Sequence, residues 1–447
     1  MRPFEGSRVV VVGLGVAGTA AARALANAGA RVVVTEERSE VAEADQVRAL
    51  GVEVHLGGHR PEHLNGASAV VASPGVAERA PVLTWARERG IEVWSELDVG
   101  ARLCDVPYVA VTGTNGKSTT TELVACMMRA AGLDAVACGN IGHPFSIAAG
   151  EGHEALAVEA SSFQLRFHHW LRPRVSILLN LAPDHLDWHG SFEAYAAAKA
   201  RVFELQGTDG AHVGNAEDPA AASISRSARC ARVWFRLSEP AEGEVGYVDG
   251  QLVARLDGEL RLGHPPRSSA GFRADAAAAA AAALAFGLPP EAVLEGMRAM
   301  RPLPHRGEEV ARIGNVTFVD DSKATNVHAA LHALAGRRRV VLIAGGVAKG
   351  VDLSPLAEAV PALSGVVAIG ESASEIAGLF EGSVPVRKAG SMEEAVRAAF
   401  ELAPSDGTVT LAPACASWDM FRDYVDRGER FADAARALAE EVAGGPH

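Results

Sequence analysis

The sequence predicts an α/β protein of three successive domains, with an N-terminal Rossmann-like domain, a central P-loop-type domain and a C-terminal Rossmann-like domain. Three observations predict it. Short β-branched runs alternate with helical stretches along most of the chain, the pattern of parallel α/β sheets. Two glycine-rich loops each fall between a strand and a helix. The length, 447 residues, exceeds what one core organises, and domains of roughly 100–200 residues give about three. The expected boundaries are 1–96, 97–302 and 303–447.

In the first domain, residues 9–12, 32–35, 52–55, 69–72 and 92–94 read as strands, with helices between them at 19–28 and 81–89. Gly13-Leu14-Gly15-Val16-Ala17-Gly18 matches GxGxxG and sits between the first strand and its helix. Such glycines allow a tight turn and close approach of a phosphate to the helix N-terminus. Glu36 ends the next strand, where dinucleotide folds place a ribose-binding acid. Alone, this loop suits NAD, FAD or any nucleotide diphosphate, and glycines serving only helix–strand packing are the bland alternative.

The second domain opens with a strand at 108–111 and a helix after Lys117, followed by strands at 155–159 and 175–179. Between its first strand and helix lies Thr112-Gly113-Thr114-Asn115-Gly116-Lys117-Ser118-Thr119. Backbone N–H groups of such a loop cradle phosphates, the lysine neutralises β/γ charge and the Ser118 hydroxyl suits Mg²⁺. The loop departs from GxxxxGK[ST] in having Val111 at the first glycine position. This signal makes the central domain a P-loop-type ATPase domain. Two nucleotide-type loops argue against a plain dehydrogenase, since one should hold ATP and the other a second nucleotide-bearing substrate. Glu159 ends a strand, where α/β enzymes keep a Mg²⁺ ligand. His185, in Asp184-His185-Leu186-Asp187, and Lys199, on an alanine-rich helix, read in isolation as a structural histidine and a solvated lysine. Residues 210–270 read as a small meander inserted before the alanine-rich helix.

The third domain begins near Arg301-Pro302-Leu303-Pro304, with strands at 316–319, 340–343, 366–369 and 408–411. His305 and Arg306 precede the first of these. Asp320-Asp321-Ser322-Lys323-Ala324-Thr325-Asn326, Gly345-Gly346-Val347-Ala348-Lys349-Gly350 and Pro413-Ala414-Cys415-Ala416-Ser417-Trp418-Asp419 each follow a strand, where ligand loops cluster. Cys415 has no base beside it in sequence and reads as a small packed thiol.

Composition narrows the function classes. A net charge of −13 disfavours general nucleic-acid or membrane-surface binding. The five cysteines are far apart with no CxxC pair, against a disulfide framework or zinc ribbon and in favour of a reducing, cytoplasmic compartment. Arg2 and the apolar run 9–12 superficially resemble a signal peptide, but the run is short and broken by Gly13, Gly15 and Gly18. The alanine run 276–283 predicts a packed helix, because alanine favours helix and is only weakly lipophilic, so no membrane span is expected.

Taken together, and in this order, the motifs resemble the Mur ligase family. They are GTNGKST, Glu159 after the next strand, Asp184-His185, the helix lysine Lys199 and His305-Arg306. The Glu159-Ala160-Ser161-Ser162-Phe163-Gln164 segment, Ala72-Ser73-Pro74-Gly75 and Asp321-Ser322-Lys323 resemble the members that add D-glutamate. The resemblance spans essentially the whole chain. It implies a UDP-binding first domain, an ATP-binding central domain and an amino-acid-binding last domain. The implied reaction joins D-glutamate to UDP-N-acetylmuramoyl-L-alanine through an acyl phosphate, by a monomeric enzyme using ATP and two Mg²⁺ ions. Carried over residue by residue, Gly15, Val16, Ala17, Glu36 and Arg38 would face the UDP. Ser73, Gly75, Asn140, Ser161 and Gln164 would lie along the diphosphate and sugar. Residues Gly113, Thr114, Asn115, Gly116, Lys117, Ser118 and Thr119 would hold ATP, with Asp275, His305, Arg306 and Asp321. Ser118 and Glu159 would take the first Mg²⁺, and His185 with Lys199, as a CO₂-derived carbamate, the second. Lys323 joins Lys117, His185 and Lys199 as catalytic, while Thr325, Lys349, Ser417 and Tyr424 would surround D-glutamate. The chain departs from the family where His-Asn-x-x-Asn is usual and Gly271-Phe272-Arg273-Ala274-Asp275 stands instead. Val347-Ala348 replaces Asp-Gly, and Glu36-Glu37-Arg38 replaces an Asp-led uracil contact.

Overall fold

The computed structural model describes residues 3–444, so Arg2 lies outside the described residues. The chain divides into two compact units. One comprises Met1–Leu181 with Glu193–Met300, the other Ala182–Phe192 with Arg301–His447.

The first unit contains two sheets. Strands β1 (Arg8–Val12), β2 (Arg31–Thr35), β3 (Glu53–His55), β4 (Ala69–Ala72) and β5 (Glu92–Trp94) form a parallel sheet in the order β3-β2-β1-β4-β5. Val9, Val10, Val11 and Val12 are all fully buried, as expected of a central parallel strand covered on both faces. The predicted strands lie within a residue or so of the observed ones, and the first helix, Val16–Asn27, starts directly in the glycine loop.

The second sheet has nine strands: β6 (Tyr108–Thr112), β7 (Ala135–Gly139), β8 (Ala155–Glu159), β9 (Val175–Leu178), β10 (Ala211–Asn215), β11 (Ala231–Phe235), β12 (Glu244–Val248), β13 (Gln251–Arg255) and β14 (Glu259–Gly263). Their order is β14-β13-β12-β11-β10-β9-β6-β8-β7. Of the small meander expected over 210–270, the part at β12, β13 and β14 is observed, and the part at β10 and β11 is corrected here. Strands β10, β11 and β12 extend the parallel sheet beyond β9, and only the β12–β13 and β13–β14 pairings are antiparallel. The alanine run is buried within the helix Ala270–Phe286, which packs on the helix Lys117–Ala130 and on β10 and β11. Side chains no larger than a methyl let these elements approach closely. No helix among the described residues is long and apolar enough to cross a membrane.

In the second unit, β15 (Glu308–Ile313), β16 (Val316–Asp320), β17 (Val340–Gly345), β18 (Leu363–Ile369), β19 (Val386–Ala389) and β20 (Thr408–Leu411) are ordered β15-β16-β20-β17-β18-β19. All pairings are parallel except β15 with β16. Adjacent β16, β20 and β17 therefore deliver the three loops after residues 320, 411 and 345 to one edge of the sheet.

Candidate active site

In the first sheet the strand order reverses at β1, which pairs with β2 on one side and β4 on the other. Open parallel sheets bind ligands beyond the carboxyl ends of such strands. A cavity of about 920 Å³ lies there. Gly15, Val16, Ala17, Glu36 and Arg38 line it from the β1 and β2 ends, Ser73 and Gly75 from the β4 end. Asn140 and Gln164 line it from the second sheet. Nine of the ten residues expected to face the UDP substrate thus meet around one cavity. Ser161 does not line it. Instead its hydroxyl accepts the Gln164 N–H and its own N–H donates to Gln164 Oε1, a capping box opening the helix Ser162–Arg166.

Gly18 is required by close packing, since a Cβ there would lie 1.9 Å from the Gly13 carbonyl oxygen. The Glu36 carboxylate is engaged with the same loop, accepting the Leu14 N–H at 2.6 Å and Arg38 Nε at 3.0 Å. Burial pushes the Glu36 carboxyl up, but the bonds from Arg38 and Leu14 outweigh it and bring the pKa down to about 2. Glu36 therefore acts as a fixed anion that shapes the glycine turn. Sequence reading missed Glu96 in the cavity wall. It is fully buried, accepts the Ser146 N–H at 2.6 Å, and burial raises its pKa.

Register places the candidate ATP loop. Strand β6 pairs with β8 on one side and β9 on the other, setting Val111 opposite Glu159 and Thr112 opposite Leu178. The loop after β6 is thus flanked by Glu159 and Asn180. Asn180 clasps it, its Oδ1 accepting the Asn115 N–H at 2.8 Å and its Nδ2 donating to the Asn115 carbonyl at 3.1 Å. Lys117 Nζ donates to the carbonyls of Gly113 and Thr114 at 2.9 and 2.8 Å. Gly116 takes a left-handed φ of 84°, and a Cβ there would lie 2.1 Å from Asp275 Oδ1. Asp275, the polar residue left from the altered segment, thus packs on the loop itself. Ser118 and Thr119 are buried at the start of the following helix.

Lys199 corrects the reading drawn from its helix alone. It is only 2% exposed, and its Nζ donates to the Gly113 carbonyl at 2.7 Å, above the Tyr195 ring. Tyr195 in turn bonds the Thr114 hydroxyl at 3.0 Å, a contact with no sequence signal. Glu159 is buried, with Oε1 accepting from Asn140 Nδ2 at 3.0 Å and Oε2 without a hydrogen-bond partner. An orphaned, buried carboxylate oxygen is costly unless a cation meets it.

In the second unit, Asp184 holds a buried ion pair with Lys349 and accepts from Asn326 Nδ2 at 3.1 Å. His185, at a left-handed φ of 53°, opens the short helix Leu186–His189 beside it. Lys349, expected among the D-glutamate contacts, is thus tied to the loop that carries His185. Val347 pairs with Ala416 through two backbone bonds of 3.0 Å, so the altered Val347-Ala348 segment joins the loop after β20. His305 Nδ1 meets Asp320 Oδ2 at 2.7 Å, and Lys323 Nζ lies 3.7 Å from the centre of the Tyr424 ring. Burial pushes the Asp321 carboxyl up to about 7, with Arg306 opposing and Asp320 adding to the shift. Thr325 and Ser417 sit in the flanking loops, Ser417 buried. Cys415 is fully buried and burial pushes its thiol up to about 11, in keeping with a small packed thiol.

Comparison with known proteins joins these features. Residues 7–95 match the MurD-like N-terminal domain of Mur ligases, 111–247 the Mur ligase middle domain and 305–415 the Mur ligase glutamate ligase domain. A UDP-N-acetylmuramoylalanine–D-glutamate ligase of Frankia casuarinae is 46% identical, covering 97% of this chain and 95% of its own. The chain belongs to the Mur ligase family. A like-named enzyme of Streptomyces avermitilis is 42% identical over 98% of this chain and all of its own length. The fold is also that of the UDP-N-acetylmuramate-alanine ligase of Thermotoga maritima, with a TM-score of 0.60, 19% identity, and coverage of 96% and 99% of the two chains.

Proposed function

We propose that this Mur ligase joins D-glutamate to UDP-N-acetylmuramoyl-L-alanine at the expense of ATP, in peptidoglycan precursor synthesis. Near-full-length identity to ligases of that name supports the substrates. The observation that carries the chemistry is the register of β6, β8 and β9, which sets a phosphate loop between Glu159 and Asn180. A cavity large enough for a nucleotide sugar in the same unit supports the UDP substrate.

In this reading the acceptor carboxylate attacks the γ-phosphorus of ATP, and ADP leaves. The amine of D-glutamate then attacks the acyl carbon, phosphate departs with one former carboxylate oxygen, and the amine loses a proton to give the amide. Lys117 exchanges its carbonyl partners for phosphate oxygens, where charge-assisted bonds are stronger. Ser118 and Glu159 suit a first Mg²⁺, and the unpartnered Glu159 Oε2 is the kind of oxygen donor that ion takes. His185 and Lys199 are the ligands assigned to a second. Lys199 suits a carbamate because it is buried beside the loop and the modified nitrogen keeps an N–H for the Gly113 carbonyl. Bound Mg²⁺ supplies charge neutralisation between mutually repelling anions. Lys323, Thr325, Lys349, Ser417 and Tyr424 are assigned to D-glutamate, with His305, Arg306 and Asp321 on the nucleotide. The division at about residues 96 and 302 fits the extents of the three matched domains. Five free cysteines support a reducing, cytoplasmic setting, and a monomer suffices for this site set.

The test is ADP release. UDP-N-acetylmuramoyl-L-alanine with D-glutamate should release ADP, while either substrate alone, L-glutamate, L-lysine or diaminopimelate should not. Equal release with another amino acid would replace the proposed substrate.

A further inference from the structure

The three loops assigned to the incoming amino acid are joined by only a few backbone bonds, the Val347–Ala416 bridge and the Ala414 N–H to the Ala324 carbonyl among them, yet a binding site for a small flexible dicarboxylate needs them fixed to within a fraction of an ångström. One side chain that joins two of them was not singled out by any motif. Arg427 lies in the second turn of the helix Tyr424–Gly444 and is 0% exposed. Its Nε donates to Ser322 Oγ at 3.0 Å and one terminal nitrogen to the Ser322 carbonyl at 2.8 Å, both in the loop after β16. The other terminal nitrogen donates to the Cys415 carbonyl at 3.0 Å, in the loop after β20. Ser322 Oγ passes the link on to the Tyr424 carbonyl at 2.7 Å.

We infer that Arg427 is a positioning residue for the incoming amino acid, clamping the loops that carry Lys323, Thr325 and Ser417 and setting affinity for a dicarboxylate that it does not touch. The inference rests on the proposed function. Among the described residues Arg427 forms no ion pair within 4.0 Å, and its hydrogen bonds go to neutral oxygens. A fully buried cation without a bonded anion is expensive to keep, and burial draws its pKa down to about 10. What the guanidinium adds is a rigid planar fork that can bond two carbonyls and a hydroxyl at once, which a lysine cannot reproduce. The neighbouring Gly428 supports the same arrangement. A Cβ there would lie 2.2 Å from His305 Nδ1 and 2.7 Å from Asp320 Oδ2, so this turn of the helix is seated directly against the His305–Asp320 pair.

The experiment is steady-state kinetics on Arg427→Lys, Arg427→Met and Ser322→Ala in the full-length chain, with folding followed by circular dichroism. Hydrogen bonds to charged groups of this kind correspond to roughly 10- to 100-fold in binding, so KM for D-glutamate should rise at least about tenfold in both Arg427 variants. KM for the UDP substrate should stay within about twofold, because its residues lie on other elements, and KM for ATP should rise less than that for D-glutamate, because the phosphate loop after β6 lies outside the clamp. Ser322→Ala should raise KM for D-glutamate less, and combining it with Arg427→Lys should add little, since the two share one bond. A folded Arg427→Lys enzyme with unchanged KM for D-glutamate, or equal rises in all three KM values, would overturn the inference. If the Arg427 variants do not fold, the selective rise in Ser322→Ala alone decides, and its absence is equally contrary. A wild-type enzyme whose ADP release ignores D-glutamate would instead overturn the proposed function and leave the clamp geometry untouched.

Discussion

Lys117→Ala is expected to abolish turnover, lowering kcat by about 10²–10³-fold or more, while UDP-substrate binding is kept. The size follows from removing one preorganised cation from a transferring phosphoryl group, an effect worth about 3–4 kcal/mol in comparable sites. The selectivity follows from the fold. Lys117 sits after β6 and bonds the Gly113 and Thr114 carbonyls, whereas the cavity assigned to the UDP group is built from the ends of β1, β2 and β4 with Asn140 and Gln164. Calorimetric titration with UDP-N-acetylmuramoyl-L-alanine and an ADP-release assay on the same preparation read the two quantities. Near-normal turnover would remove Lys117, and with it the loop, from the reaction.

Lys199→Ala is expected to cost nearly as much, about 10²-fold in kcat, with ATP and UDP-substrate binding kept. A buried lysine whose role is only to hold the Gly113 carbonyl would also lose activity on truncation, so the loss alone does not decide between the roles. Acetate does. If the side chain works as an oxygen-donating carbamate, a small carboxylate in the vacated space should restore a measurable part of kcat. Wild-type enzyme equilibrated with ¹³C-labelled CO₂ should also show a carbamate carbon resonance that Lys199→Ala lacks. No response to acetate together with no such resonance would leave Lys199 as a structural cation.

The fold was legible wherever local pattern and tertiary context agree. Runs such as 9–12 and 155–158 are apolar throughout because both faces of a central parallel strand are covered, and the two glycine loops announce themselves by the strand before and the helix after. Strands β10 and β11 were less legible. Ala211–Asn215 and Ala231–Phe235 contain His212, Asn215 and Arg232, and only pairing to β9 and to each other makes them a continuation of the sheet. In the site, residues within one motif were readable, and partnerships across the chain were not. Nothing in the helix Phe192–Ala200 distinguishes a buried lysine from a solvated one, because alanine tolerates both. The Asp184–Lys349 pair, the Tyr195–Thr114 bond and the Arg427 clamp each join residues far apart in sequence, and each depends on which strands lie side by side. Glu36 was placed correctly at the end of β2, but its engagement with the Leu14 N–H is a matter of three-dimensional reach.

Oxygen tracing distinguishes the acyl-phosphate route from any route that leaves the acceptor carboxylate oxygens in place. UDP-N-acetylmuramoyl-L-alanine labelled with ¹⁸O in its carboxylate is converted with ATP and D-glutamate, and the released inorganic phosphate is analysed by mass. An acyl phosphate leaves one ¹⁸O atom in each phosphate, carried over when the acyl–oxygen bond breaks. Unlabelled phosphate, formed at the same rate as the amide product, would contradict that route.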